Sequence, residues 1–296
     1  MKHAIDHLVL CVSDLERARA FYEGLGFTLT PRAEHPFGTG NQLMQLQGCY
    51  LELLTVRDHS KIPPHAPGRF SFGAFNAAYL ARREGLSMLA FQTDDAEQDQ
   101  RAFAARGLDI YEPLHFSHKR SFRDGSEATV SYSVAFVTDP AMPDAAFFTC
   151  QHHAPHNFWR PEYQRHANGA CSVAEVVMAA NDPNGLADFF GRLFDSKPVT
   201  GEADSLRVSL QNGGITVLST KGLDARYGLD APGEPHFVGV AVTIEDADRV
   251  RSRLKAHGIP FCRAGDAIQI RPKDAFGAML EFTVRSPAVS APGRKE

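Results

Sequence analysis

The stretch Ile5 to Phe27, IDHLVLCVSDLERARAFYEGLGF, constrains this chain most, because its pattern occurs four times. It reads as a strand, a tight turn and a helix. Alternation puts His7, Val9 and Cys11 on one face of the strand and Leu8, Leu10 and Val12 on the other. Leu15, Ala18, Tyr22 and Leu25 recur at helical spacing, with Glu16, Arg17, Arg19 and Glu23 on the wet face. Ser13 and Glu16 have the spacing of a capping box, and Gly24 and Gly26 end the helix.

Three further copies align on an acidic cap, with Asp95, Asp182 and Asp246 where Asp14 stands. Eight residues past each cap lie Tyr22, Phe103, Phe190 and Leu254, all suited to a core. Twelve past lie Gly26, Gly107 and Gly258, with Phe194 departing in the third copy. Seven before lie His7, Met88, Glu175 and Gly239. Short strand-like runs follow each helix, so the unit is βαβββ. One unit alone would expose a sheet face, whereas two side by side curl around a shared cavity.

Four such modules, opening with IDHLVLCVSDLERARAFYEGLGF, resemble the vicinal-oxygen-chelate (glyoxalase/extradiol dioxygenase) superfamily. Within it, HPFGTGNQLMQLQGCYLELL is similar to the glyoxalase-like domain proteins. The implied fold class is α+β, with four βαβββ modules forming two tandem glyoxalase-like domains. The expected boundaries are 1–153 for the first domain with an insertion at 57–84, a connector at 154–169, a second domain at 170–285, and a disordered tail at 286–296. The fold hosts lyases, isomerases, dioxygenases and metal-free binders, so it does not select a reaction.

Composition agrees with a soluble globule. The chain has 296 residues, 43% hydrophobic and 22% charged, enough for two cores. A net charge of −4 argues against nucleic acid as a partner. No apolar run follows Met1 and no stretch is long enough to span a bilayer, so neither a signal peptide nor a membrane anchor is expected. Cys11, Cys49, Cys150, Cys171 and Cys262 are scattered without CxxC spacing, which fits reduced thiols and a cytoplasmic location. The expected partner is a small-molecule substrate, with a homodimer left open.

In the strand Tyr50 to Val56, Glu52 is an acid in an otherwise apolar run, a placement that needs a partner. The family resemblance implies that a first-strand histidine and a last-strand glutamate form half of a metal site. His7 and Glu52 match those positions. Met88 and the strand Ala145 to His153 lack the other two ligands, so the connector HHAPHNFWRPEYQRHANGA is read as the source of a third. His152, ending the strand that closes the cavity, would complete a 2-His-1-carboxylate set for Zn, Mn, Fe or Ni. Glu52 and His152 are also the residues expected to move protons, and Asn41, Arg123, His153 and Trp159 to meet substrate. His118, Lys119, Arg120 and Arg123 cluster near the tip of a hairpin turning at Asp124-Gly125, as a solvated turn or an anion-binding patch. In the second domain Glu175, Gly239 and Glu281 stand where extradiol enzymes carry His, His and Glu. This half is therefore expected to be structural and catechol cleavage absent.

The function that follows is a metal-dependent enzyme of lyase, isomerase or dioxygenase type acting on a small oxygenated substrate in the N-terminal cavity. The alternative is a metal-free protein that sequesters a small molecule, of the bleomycin-resistance type. No nucleophile elbow, P-loop, dinucleotide motif or HExxH competes with either.

Overall fold

The computed structural model describes residues 4–197, 199–200 and 205–285; the tail from Ser286 lies outside them. Strands of the first half are β1 (Ile5–Cys11), β2 (Ala33–Glu34), β3 (Thr39–Gln45), β4 (Tyr50–Val56), β5 (Gly85–Gln92), β6 (Asp109–Ile110), β7 (Leu114–Ser121), β8 (Glu127–Thr138) and β9 (Ala146–His152). The second half has β10 (Ala170–Ala179), β11 (Val199–Thr200), β12 (Ser205–Leu210), β13 (Gly213–Leu218), β14 (His236–Ile244), β15 (Cys262–Ala264), β16 (Ala267–Ile270) and β17 (Met279–Val284). The helices are α1 (Leu15–Gly24), α2 (Phe72–Leu80), α3 (Ala96–Ala105), α4 (Pro155–Phe158), α5 (Ala187–Phe194), α6 (Thr220–Tyr227) and α7 (Ala247–Ala256).

Two mixed sheets result, ordered β2-β3-β4-β1-β5-β9-β8-β6 and β11-β12-β13-β10-β14-β17-β16-β15. They are the same path walked twice. In each, the first strands of two modules pair antiparallel at the centre, β1 with β5 and β10 with β14. The last strand of each module lies parallel to its own first strand, as in β1 with β4 and β14 with β17. The first sheet carries one strand more than the second, because β7 pairs with β8 as a long hairpin arm off the main path.

The helix starts follow the acidic caps. The side chains of Asp14, Asp95 and Asp246 accept from the backbone N–H of Arg17, Gln98 and Asp248. Asp182 caps a 3-10 turn that leads into α5. The capping residue of α1 is thus Asp14 and not Ser13, whose own N–H is held by Glu84 Oε1 at 2.7 Å. The short strand that follows α1 begins only at Ala33, as Ala33–Glu34, and Thr28 to Pro31 stay out of the sheet. Pro31 has no N–H to give a ladder, and the N–H groups of Thr28 and Thr30 go to His166 Nδ1 and the Leu43 carbonyl.

Alternation along β1 separates two environments. Leu8 and Leu10 join a core that continues into the second half, whereas Val9 and Cys11 face a smaller aromatic cluster with Tyr50, Met88 and Phe148. The shared core is aromatic at its centre. Phe147 packs on Phe189, Phe190 and Phe237 at centroid distances of 5.2, 5.7 and 5.6 Å, and Phe91 on Phe194 at 4.9 Å. At Gly277 (φ +78°) a side chain would collide with the Glu84 carbonyl, 2.0 Å from the Cβ position, so the two halves meet there backbone to backbone. Asn212, at the β12–β13 turn, bonds both the N–H and the C=O of Ile5 across the same boundary.

Because one core serves both sheets, Phe147→Ala, at a fully buried position, should cost about 3–5 kcal/mol. Urea denaturation should show one transition displaced as a whole, rather than one half melting ahead of the other.

Candidate active site in the N-terminal cavity

The concave face of the first sheet holds a small, partly open cavity. Its polar end is built by β1, β3, β4 and the turn after β2; its walls are aromatic. The insertion closes one side. Ser71 caps α2, Phe72 reaches the cavity, and Asn76 is buried against Cys11 and Ser87. The connector closes another side through Phe158, which is buried and lines the cavity. Among the described residues no helix is long and apolar enough to cross a membrane, and all five cysteines are free, four of them buried.

Glu52 is 3% exposed and lies at the centre of the polar end. Asn41 Nδ2 donates to its Oε1 at 2.5 Å. His7 Nε2 lies 3.7 Å from Oε2, and His35 Nε2 lies 3.8 Å from Oε1. Both ring orientations are pinned from behind: His7 Nδ1 donates to Asp6 Oδ1 at 2.6 Å, and His35 Nδ1 lies 2.8 Å from Thr39 Oγ1. His35 Nε2 also sits 3.2 Å from the Asn41 amide nitrogen. That amide is oriented by the carboxylate, so the His35 proton is on Nδ1. Two imidazole Nε2 atoms therefore approach one carboxylate across gaps too long for hydrogen bonds. Asn41 Oδ1 is left without a partner.

Burial raises the Glu52 carboxyl above its usual range, opposed by His7, the Asn41 amide and Arg120. Burial, with the nearby His118 and Arg120, holds His35 well below the usual imidazole range, so it is neutral at neutral pH. Two imidazoles and a carboxylate are a divalent-metal donor set. Ligands about 2.0–2.2 Å from one ion lie roughly 3–4 Å from each other, which the 3.7 and 3.8 Å separations match. A carboxylate on the far nitrogen of a ligating histidine, as Asp6 is on His7, is the usual support of such sites. The residues fit a divalent cation.

Asp6 reaches His7 through a β-bulge. Ile5 pairs with Phe91 and His7 with Ala90, so Asp6 is the extra residue. It is also 3.2 Å from His152 Nε2. Burial works to raise the Asp6 carboxyl, but His152 and His7 outweigh it and hold it well below the usual range. His152 therefore belongs to Asp6 and not to Glu52, and its Nδ1 has no partner. The expected set of His7, Glu52 and His152 does not assemble; the imidazole beside Glu52 is that of His35. Asp6, His7 and Cys150 also bring potential ligand atoms within 4.8 Å of one another. This trio is the weaker donor set, because Asp6 and His7 already satisfy each other and burial keeps the Cys150 thiol protonated.

Of the residues expected to meet substrate, only Asn41 lines the cavity. Arg123 ties the hairpin to the connector, its N–H donating to Tyr163 Oη and its guanidinium to the Leu29 carbonyl. His153 is exposed and bonds Ser133. Trp159 packs edge-on against Tyr50 from outside the lining, at 5.9 Å. His166 is a structural link, accepting from Thr28 N–H and donating to the Gln45 carbonyl. The signal that would have found the missing residues is alternation in β7. Leu114, Phe116, His118 and Arg120 turn inward while Ser117, Lys119 and Ser121 are exposed, so the charged hairpin divides into a wet face and a cavity wall.

In the second half, Glu175 occupies the His7 position and Thr216 that of Glu52, judged by the matching registers Val9↔Glu52 and Val177↔Thr216. The Glu175 carboxylate is taken up by Thr216, Arg226 and Tyr227. Glu281, 6% exposed, is raised by burial.

This architecture, a doubled antiparallel seam of βαβββ modules around a cavity bearing His7 and Glu52, is that of the vicinal-oxygen-chelate superfamily. Residues 5–194 match the family described as "Glyoxalase-like domain", and the chain belongs to it. Comparison with curated proteins returns no match. Among solved structures, a hypothetical protein from Staphylococcus aureus superposes with a TM-score of 0.71 at 14% identity, covering 95% of this chain and 99% of that one. A mutant of 4-hydroxymandelate synthase from Streptomyces coelicolor gives 0.57 at 14% identity, covering 97% and 94%. BphC, a halotolerant catechol dioxygenase, gives 0.57 at 11% identity, covering 99% and 91%. At these identities the likeness is one of fold.

Protonation should read out this burial. Burial, reinforced by Arg120, pushes His118 from an ordinary 6.5 to about 4. The unfolded chain therefore binds this proton first as pH falls, and stability is lost between about 6.5 and 4. Glu52, raised by its burial, works the opposite way as pH rises above 4.5. The check is thus a difference: the denaturation midpoint of His118→Gln should fall less steeply over that window than that of wild type.

Proposed function

We propose that this protein is a metal-dependent enzyme whose N-terminal cavity holds a divalent cation on His7, His35 and Glu52. The observation that carries this reading is the convergence of two pinned imidazole Nε2 atoms on one buried carboxylate at 3.7 and 3.8 Å. A bound cation would serve as Lewis acid toward a carbonyl or enolate oxygen, worth several kcal/mol of charge stabilisation in a dry cavity. The chain's own residues do the rest. Asp6 fixes the tautomer and orientation of His7, and Thr39 those of His35. Asn41 holds Glu52 and offers its unpartnered Oδ1 to the cavity. His118, neutral and with both ring nitrogens unpartnered, is the group to take or give a proton, the part first assigned to His152. The aromatic walls exclude water. Lyase, isomerase and dioxygenase chemistry all suit such a site.

A second reading, sequestration of a small molecule without metal, has one observation in its favour. Met88 stands at the ligand position of β5, and Phe148, paired with Ala90 as Glu52 is with Val9, stands at that of β9. Apolar side chains thus fill the half of the site that would supply two more ligands.

Elemental analysis separates the two. The enzyme reading expects about one equivalent of divalent metal in wild type, lost on His7→Ala, Glu52→Ala and His35→Ala and retained on His152→Ala. Metal absent from wild type would favour sequestration, and metal retained in all four variants would overturn the assignment to His7, His35 and Glu52.

A further inference from the structure

We infer that the N-terminal cavity takes a small monoanion with an apolar, ring-sized body, its anionic head seated on Arg120. The inference rests on reading that cavity as the working site and names the class of molecule it receives.

Arg120 is 4% exposed and belongs to the inward face of β7. Among the described residues it makes one hydrogen bond, Nη2 to Thr30 Oγ1 at 3.3 Å, and rests over the Phe158 ring at 5.5 Å. Among the described residues no carboxylate lies within ion-pair distance of it. A guanidinium presents five N–H donors in a planar fork and is always charged. Burying it without an anion is costly, and a ligand anion in the cavity would supply the missing partner. Two residues earlier on the same face, His118 has both ring nitrogens buried and unpartnered, so a second donor faces the same space.

The cavity's charge balance favours the same ligand. Glu52 and Arg120 face the space with one negative and one positive charge. A divalent cation on the His7, His35 and Glu52 cluster would leave it in positive excess, which a bound anion offsets. The remainder of the lining requires an apolar body, since Phe116, Tyr132, Phe136 and Phe148 form the wall next to the two polar groups. The strand that carries Arg120 has no counterpart in the second sheet, so this wall is an addition particular to the first half.

The test is calorimetric titration of the full-length protein with phenylacetate, benzylphosphonate and the neutral phenylacetamide, as purified and after dialysis against EDTA. At least one anion should bind about ten- to a hundredfold more tightly than the amide, and the tighter of the two identifies the head group. Arg120→Gln should bring the anion down to the level of the amide, with Arg120→Lys between. Equal affinity for acid and amide, an unchanged affinity in Arg120→Gln, or no binding of either anion would overturn the inference. If Arg120→Gln does not fold, the acid-against-amide comparison in wild type and Arg120→Lys decides alone. The EDTA arm keeps the two readings apart: an anion preference that survives dialysis and depends on Arg120 in a metal-free protein upholds this inference while removing the metal.

Discussion

The antiparallel pairing of β1 with β5 is the interaction on which the rest of this protein depends. It joins two modules that could not each bury a sheet face alone, and it sets the curvature that makes a cavity. Every residue of β1 is buried, so its two faces must both be matched: one against the core shared with the second half, the other against the cavity. The bulge at Asp6 is one of two breaks in this seam, the other falling between Val9 and Leu10. It brings two adjacent side chains, Asp6 and His7, onto each other, so that the acid orients the base. The second half repeats the bulge, with Val173 opposite Val242 and Glu175 opposite Ala241, but the extra residue there is Ala174. The same backbone device carries an orienting carboxylate in one half and nothing ionisable in the other.

The two halves have diverged by where they place charge. In the second, Glu175 is answered by Arg226 at 2.5 Å, an ion pair that satisfies itself. In the first, Glu52 and Arg120 are both buried and form no ion pair with each other. Leaving opposite charges unpaired inside a protein is expensive, and pairing them would be simpler. Such separation is useful where ligands complete each side, which is the arrangement expected of a binding cavity rather than of a scaffold. The second half packs on the first through the aromatic contacts of Phe147 and Phe91 with α5.

The repeat, the acidic caps and the faces of β1 and β4 were legible in the sequence because they depend on periodicity, which is local. His7 in phase with Val9 and Cys11, and Glu52 in phase with Tyr50 and Leu54, follow from a strand's period of two whatever surrounds it. What periodicity could not supply was which separate segments meet. His35 belongs to a turn, where no period predicts direction, and it reaches Glu52 only because β2 and β3 fold the chain back through Thr39. His152 ends a strand of the same cavity but is captured by Asp6, a residue whose direction is set by a bulge that no alternation rule anticipates. Arg120 lies between those cases: its inward face was implicit in the alternation of β7, yet its isolation from any carboxylate is a fact of the assembled walls. Sequence alone therefore determined the modules, their order and two of the three residues at the polar centre, His7 and Glu52. Tertiary structure decided its third member and the unpaired cation, because both depend on distances between segments far apart in the chain.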